Sequence, residues 1–208
     1  MRMLRSICVF CGSSLGRRPA YVEAAKTLGQ LLSELKIELI YGGGNCGLMG
    51  VLASEVLQTG GRVVGVIPED LLARELGHDQ LTELHIVRTM HERKALMSSR
   101  ADGFIALPGG FGTLEELLEV MTWAQLGLHR KPIGVLNVTG YYDLLFRLID
   151  QAIDEEFIPR DRSSLLIRSD SPRQLLEMLG DFQPHDVIVR DSDRETRRAM
   201  ETELLGSG

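Results

Sequence analysis

The chain has 208 residues, 44% apolar and 25% charged, with a net charge of −6. That size and balance fit one large soluble domain able to bury its core without disulfides or structural metal. An acidic balance with no basic stripe argues against wrapping nucleic acid, and no apolar run nears the roughly 20 residues that span a bilayer.

The basic start is followed by too short an apolar run for a signal peptide. "SICVF" (6–10) is the first expected strand, and it carries Cys8-x-x-Cys11. With Cys46 the only other cysteine, no second ligand pair exists. The pair is therefore expected to be buried strand in a reducing, cytoplasmic setting rather than a redox or metal site. After Gly12-Ser13-Ser14, apolar spacing of three and four over 21–35 predicts a helix. "IELIY" (37–41) is the second strand and runs into Gly42-Gly43-Gly44-Asn45-Cys46-Gly47. "RVVGVI" (62–67) and "LHIVR" (84–88) follow, then Met90-His91-Glu92-Arg93-Lys94. "GFIAL" (103–107) leads into Pro108-Gly109-Gly110-Phe111-Gly112-Thr113, and "LLEVMTWAQLGL" (117–128) is helical, with Trp123 on an apolar stripe. "PIGVLNV" (132–138) and "SLLIR" (164–168) complete seven strands. Residues 1–180 read as a single Rossmann-like α/β domain, a doubly wound, mostly parallel sheet with helices on both faces. From about 181 the chain becomes a charge-rich tail that reads as a solvated terminal helix or a frayed end.

Three strands of a parallel sheet thus end in glycine-rich turns on one edge, where ligands bind. Glycine lets a ligand approach the backbone closely, and the helix behind each turn adds free N–H groups and a positive dipole end. A phosphate-bearing ligand is the expectation. No turn has the lysine and Ser/Thr of a Walker loop, whereas Gly42-x-Gly44-x-x-Gly47 formally satisfies the dinucleotide fingerprint. Thr113-x-x-Glu116 can be read as a capping box, or as an anion-holding turn with a carboxylate facing a sugar beside it.

The P-G-G-x-G-T-x-x-E run at Pro108–Glu116, the M-H-x-R-K run at Met90–Lys94, "YGGGNCGLMG", "EVMTWAQLGLH" and "GYYDLL" closely resemble the LOG ("Lonely guy") family. The likeness covers about residues 6–180, is less typical between Ile67 and Thr89, and does not reach the tail. It implies hydrolysis of the N-glycosidic bond of a nucleoside 5′-monophosphate, a cytokinin riboside 5′-monophosphate, AMP or both, to free base and ribose 5-phosphate. It implies no metal, no organic cofactor and a homodimer. Glu116 and Arg93 are the implied catalytic pair. Arg93, Lys94, Gly109, Gly110, Phe111, Gly112, Thr113, Leu114, Glu115, Thr122 and Glu75 would meet substrate, with Ser13, Gly44 and Asn45 from the other turns. A nicotinamide-dependent oxidoreductase and a non-catalytic nucleotide or cofactor carrier remain alternatives on the same fold. Lysine decarboxylation, a label related proteins often bear, needs a pyridoxal-binding lysine, and Lys26, Lys36, Lys94 and Lys131 lack that context.

Overall fold

The computed structural model describes residues 4–75, 77–78 and 80–183, the side chains of 73–75 excepted. Beyond residue 183 the charged tail lies outside the described residues. Strands and helices alternate: β1 (Ser6–Phe10), α1 (Pro19–Glu34), β2 (Glu38–Tyr41), α2 (Gly47–Gln58), β3 (Val63–Pro68), α3 (Glu69–Glu75) and β4 (Glu83–Val87). They continue with α4 (Met90–Arg100), β5 (Gly103–Ala106), α5 (Phe111–Gln125), β6 (Ile133–Leu136), α6 (Asp143–Asp154), β7 (Leu166–Ser169) and α7 (Pro172–Asp181). All seven expected strands form, in the order β4-β3-β2-β1-β5-β6-β7, and every pairing is parallel.

The sheet separates two cores because alternate residues of a strand point to opposite faces. Ile7, Val9 and Cys11 join the core under α1, α2 and α7. Cys8 and Phe10 join the core under α4, α5 and α6, where Phe10 stacks on Phe104 with ring centroids 5.9 Å apart. Strands buried on both faces read as continuous apolar runs, which is why β1, β3 and β5 were legible from composition. Both cysteines of the C-x-x-C pair are buried free thiols, and burial pushes both well above the usual thiol range. That is the reverse of what a reactive thiolate needs.

Two helix starts owe their position to side-chain caps. The Thr89 hydroxyl accepts from the Glu92 amide (3.1 Å), while the Glu92 carboxylate accepts from the Arg88 amide (2.9 Å), so α4 begins with two donors satisfied reciprocally. Ser171 caps α7 by accepting from the Gln174 amide. β1 sits between β2 and β5, with the following helices on opposite faces. The crevice of a doubly wound sheet therefore opens at the carboxyl ends of β1 and β5.

Candidate active site

The three glycine turns meet at that crevice and are bonded to one another. The Gly12 amide donates to the Pro108 carbonyl (3.1 Å) and the Leu48 amide donates to the Gly12 carbonyl (2.9 Å). Glycine is obligatory at two of the contacts. Gly47 has φ +57° and a side chain there would strike the Ser13 backbone, while one at Gly109 would strike the Thr113 hydroxyl and the Gly12 amide.

α5 begins one turn earlier than a Thr113 cap requires. Its N-cap is Gly110, and the Leu114 amide already donates to the Gly110 carbonyl (3.1 Å). The capping-box reading of Thr113 and Glu116 is therefore corrected. Thr113 lies in the first turn with its side chain buried beneath Gly109, and Glu116 lies in the second. This start leaves the amides of Phe111, Gly112 and Thr113 without partners inside the helix. Around Gly110 and Gly112, adjoining residues and the helix's own backbone apart, no described protein atom lies within 4 Å of where a β-carbon would stand. The helix start thus presents open space, free N–H groups and a positive dipole end together, a suitable anion site.

Glu116 is half-buried behind this cradle. Burial pushes its carboxyl up to about 7, with the Arg93 charge pulling the other way and Glu115 adding to the rise. A carboxyl poised near neutrality suits proton transfer or stabilisation of a developing cation. Arg93, only 7% exposed, is fixed by backbone: Nε donates to the Val66 carbonyl (3.1 Å) and Nη2 to the Gly42 carbonyl (2.9 Å). It ties the end of β3 to the glycine turn after β2. Lys94 donates to Glu115 (2.5 Å) and Glu119 (2.8 Å). Burial works against its charge, but the two carboxylate hydrogen bonds outweigh this and raise its pKa.

The remaining implied contact residues are spread more widely. Ser13 and Asn45 are exposed beside the crevice, and Gly44 is buried in a bridge to Gly77. Phe111 is 93% exposed, Leu114 is half-buried, and Thr122 is exposed with its hydroxyl donating to the Leu118 carbonyl of its own helix (2.7 Å). Glu75 ends α3, and its side chain is outside the described residues. Trp123, on the apolar stripe of α5, packs partly buried on the second core. Sequence reasoning met Tyr141 and Tyr142 only within the "GYYDLL" match and gave them no role; their hydroxyls donate to the Gly109 (2.5 Å) and Leu107 (2.6 Å) carbonyls. The available signal was a Gly-Tyr-Tyr turn shortly after a strand that ends on the ligand edge. A separate cavity of about 550 Å³ lies near Arg5, Lys36, Glu38 and Arg62, at the opposite edge of the sheet and away from these groups.

Among the described residues no cluster of three or more His, Cys, Asp or Glu side chains is placed to hold a metal ion, and no helix is long and apolar enough to cross a membrane. A family model described as "Possible lysine decarboxylase" matches residues 49–179. The chain is 51% identical over 180 residues to the cytokinin riboside 5′-monophosphate phosphoribohydrolase LOG7 of Arabidopsis thaliana, covering 86% of this chain and 83% of the relative. It is 46% identical over 203 residues to LOG1 of the same plant, covering 97% and 92%. It is 51% identical to the enzyme LOG of Oryza sativa subsp. japonica, covering 86% and 74%. Among solved structures, the molybdenum cofactor binding protein of Rippkaea orientalis superposes with a TM-score of 0.61 at 20% identity, covering 83% of this chain and 93% of that one. The Moco carrier protein of Chlamydomonas reinhardtii gives 0.61 at 18%, covering 84% and 98%. At those identities the carriers share the fold, and nothing about their cargo transfers.

Proposed function

Because the chain belongs to the LOG family of cytokinin riboside 5′-monophosphate phosphoribohydrolases, we propose that it hydrolyses the N-glycosidic bond of nucleoside 5′-monophosphates to free base and ribose 5-phosphate. The observation that carries this reading at the level of the site is the first two turns of α5. There, open amides fit a phosphate and the near-neutral Glu116 carboxyl follows one turn behind. Breaking C1′–N sends the bonding electrons to the base and builds positive charge on the ribose ring. The ionised Glu116 stabilises that charge and orients the water whose oxygen joins C1′. The base gains one proton and the water loses one. Arg93 contributes a fixed positive charge beside Glu116 and holds two backbone segments in place. Lys94, Glu115 and Glu119 form a neighbouring charge network, and Glu75, Thr122, Ser13, Gly44 and Asn45 complete the proposed contact set. The catalytic unit is the single domain up to about residue 180.

The deciding experiment incubates purified protein with AMP and with isopentenyladenosine 5′-monophosphate and separates free base by chromatography. Base release from at least one supports the reading, and the ratio of their kcat/KM values identifies the preferred substrate. Absence of release from both defeats it.

Gly112→Ala separates a ligand site from a structural turn. Nothing in the protein opposes a methyl group there, and alanine is the better helix former by about 0.5–1 kcal/mol. The variant is expected to match or exceed wild type in melting temperature while losing roughly tenfold or more in kcat/KM, because the methyl group occupies the anion's space. Unchanged kinetics would remove Gly112 from the cradle.

The finer assignments are a homodimer and a cytoplasmic setting. α5 and α6 share the second core, and outward from them face Phe111 (93% exposed), Leu118 (46%), Leu144 (75%) and Leu148 (62%). Exposed apolar side chains on both of these helices fit a self-complementary two-fold contact. Light scattering should give twice the 23.1 kDa chain mass, and Leu144→Glu combined with Leu148→Glu should give the monomer if α6 takes part. The buried free thiols of Cys8 and Cys11 fit a reducing compartment.

A further inference from the structure

The phosphate turn presents a problem that glycines alone do not solve. A turn that binds an anion through amides must also keep its carbonyl oxygens away from the anion. Here four successive carbonyls each have a donor. Leu107 accepts from the Tyr142 hydroxyl (2.6 Å) and Gly109 from the Tyr141 hydroxyl (2.5 Å). Pro108 accepts from the Gly12 amide (3.1 Å) and Gly110 from the Leu114 amide (3.1 Å). In a planar trans peptide the C=O and the following N–H point in opposite directions. Drawing the Gly109 oxygen toward Tyr141 therefore turns the Gly110 N–H the other way. At Gly110 the position a β-carbon would take is open, so no side-chain packing on that face fixes the amide.

The tyrosines sit on a stiff support. The Tyr142 amide donates to the Asn137 side chain (2.7 Å), which also donates to Asp143 (2.8 Å). Thr139 and Gly140 both take positive φ, 53° and 75°, so the turn before the tyrosines is tight. The Tyr141 ring meets Tyr142 edge-on at 5.0 Å and Tyr21 of α1 at 5.8 Å. Tyr142 is buried, and its hydroxyl serves a buried carbonyl, a role that stability alone explains. Tyr141 differs. It is 40% exposed, so water can replace its hydroxyl at little structural cost.

We propose that Tyr141 is a positioning residue for the phosphate turn: its hydroxyl holds the Gly109 carbonyl outward and thereby aims the Gly110 amide at the 5′-phosphate. This rests on the hydrolase reading only for its kinetic arm. Its binding arm requires no turnover.

Tyr141→Phe keeps the ring and removes the donor. Three measurements are made beside wild type: calorimetric binding of ribose 5-phosphate, kcat and KM for AMP and for adenosine, and melting temperature. The expected result is about tenfold weaker ribose 5-phosphate binding and a KM for AMP raised by a similar factor, the loss of roughly one good hydrogen bond. The loss falls on KM more than on kcat, the melting temperature stays put, and adenosine, which lacks the phosphate, is unaffected. Binding and KM within twofold of wild type would overturn the proposal, as would equal losses for AMP and adenosine. If wild type releases no base but Tyr141→Phe still weakens ribose 5-phosphate binding, the hydrolase reading falls and the role of Tyr141 stands. If wild type binds no ribose 5-phosphate, the role of Tyr141 falls with the cradle.

Discussion

Glu116→Gln should lower kcat for a nucleoside monophosphate by about 10²- to 10⁴-fold while leaving the fold intact. Glutamine has the same shape and can still accept a hydrogen bond. It carries no negative charge for the oxocarbenium-like state and cannot take a proton from water, losses of that order in comparable sites. The same substitution has a signature in stability. Burial raises the Glu116 carboxyl from 4.5 to about 7, so the folded chain holds this proton more tightly than the unfolded one. Wild-type stability is then fullest below the ordinary carboxylate range and declines as pH climbs from about 4.5 to about 7. The glutamine variant has no such decline, so above pH 7 its melting temperature should exceed that of wild type. Activity should move in the opposite sense. In wild type kcat/KM should rise with pH through about 7 as the carboxylate ionises. In kcat the midpoint should lie higher, because the bound phosphate adds negative charge nearby. A variant with near wild-type turnover, or a wild-type pH profile flat across this range, would remove Glu116 from the reaction.

Arg93→Ala should be costly to both folding and turnover. The guanidinium is the donor to two backbone carbonyls, Val66 and Gly42. Leaving both without it is expected to cost on the order of 2–5 kcal/mol, which for a domain of this size lowers the melting temperature by about 2–4 °C per kcal/mol. The lost charge also acts on Glu116, whose protonation Arg93 opposes. Removing it should shift the activity midpoint above 7 and leave less carboxylate ionised at neutral pH. Together with displacement of the Gly42 turn, the expected loss in kcat/KM is about 100-fold or more. Arg93→Lys separates the contributions, since an ammonium keeps the charge but lacks the planar fork that reaches two carbonyls. It should retain the activity midpoint near that of wild type and still lose stability. Assays belong below the variants' melting temperatures. Wild-type stability in Arg93→Ala would show that other donors satisfy the two carbonyls, and wild-type kcat/KM would exclude Arg93 from the reaction.

Much of this protein is written locally. The strands buried on both faces announce themselves as short apolar runs, because a central strand of a covered parallel sheet has no solvent side to leave polar. The glycine turns are legible because positive φ and close backbone approach leave few other residues possible, as Gly47 and Gly109 demonstrate. Arg93 was reached through its motif alone, since an R-K pair in a helix also reads as a solvated face, whereas Glu116 was marked locally only by a spacing that equally reads as a capping box. Tertiary structure decided what surrounds them. Strand order brings the turns at residues 12, 47 and 109 into contact. The same packing buries Arg93 against two carbonyls, binds Lys94 to Glu115 and Glu119, and raises Glu116. It also moved the start of α5 to Gly110, because the Gly12 contact at Pro108 holds the turn and the Thr113 side chain fills the space beneath it. Periodicity and turn chemistry are properties of neighbouring residues. Desolvation and hydrogen bonding between elements far apart in the chain, 32 and 35 residues for the two tyrosine hydroxyls, arise only when the sheet assembles, which is why no role for Tyr141 and Tyr142 was legible until the chain was folded.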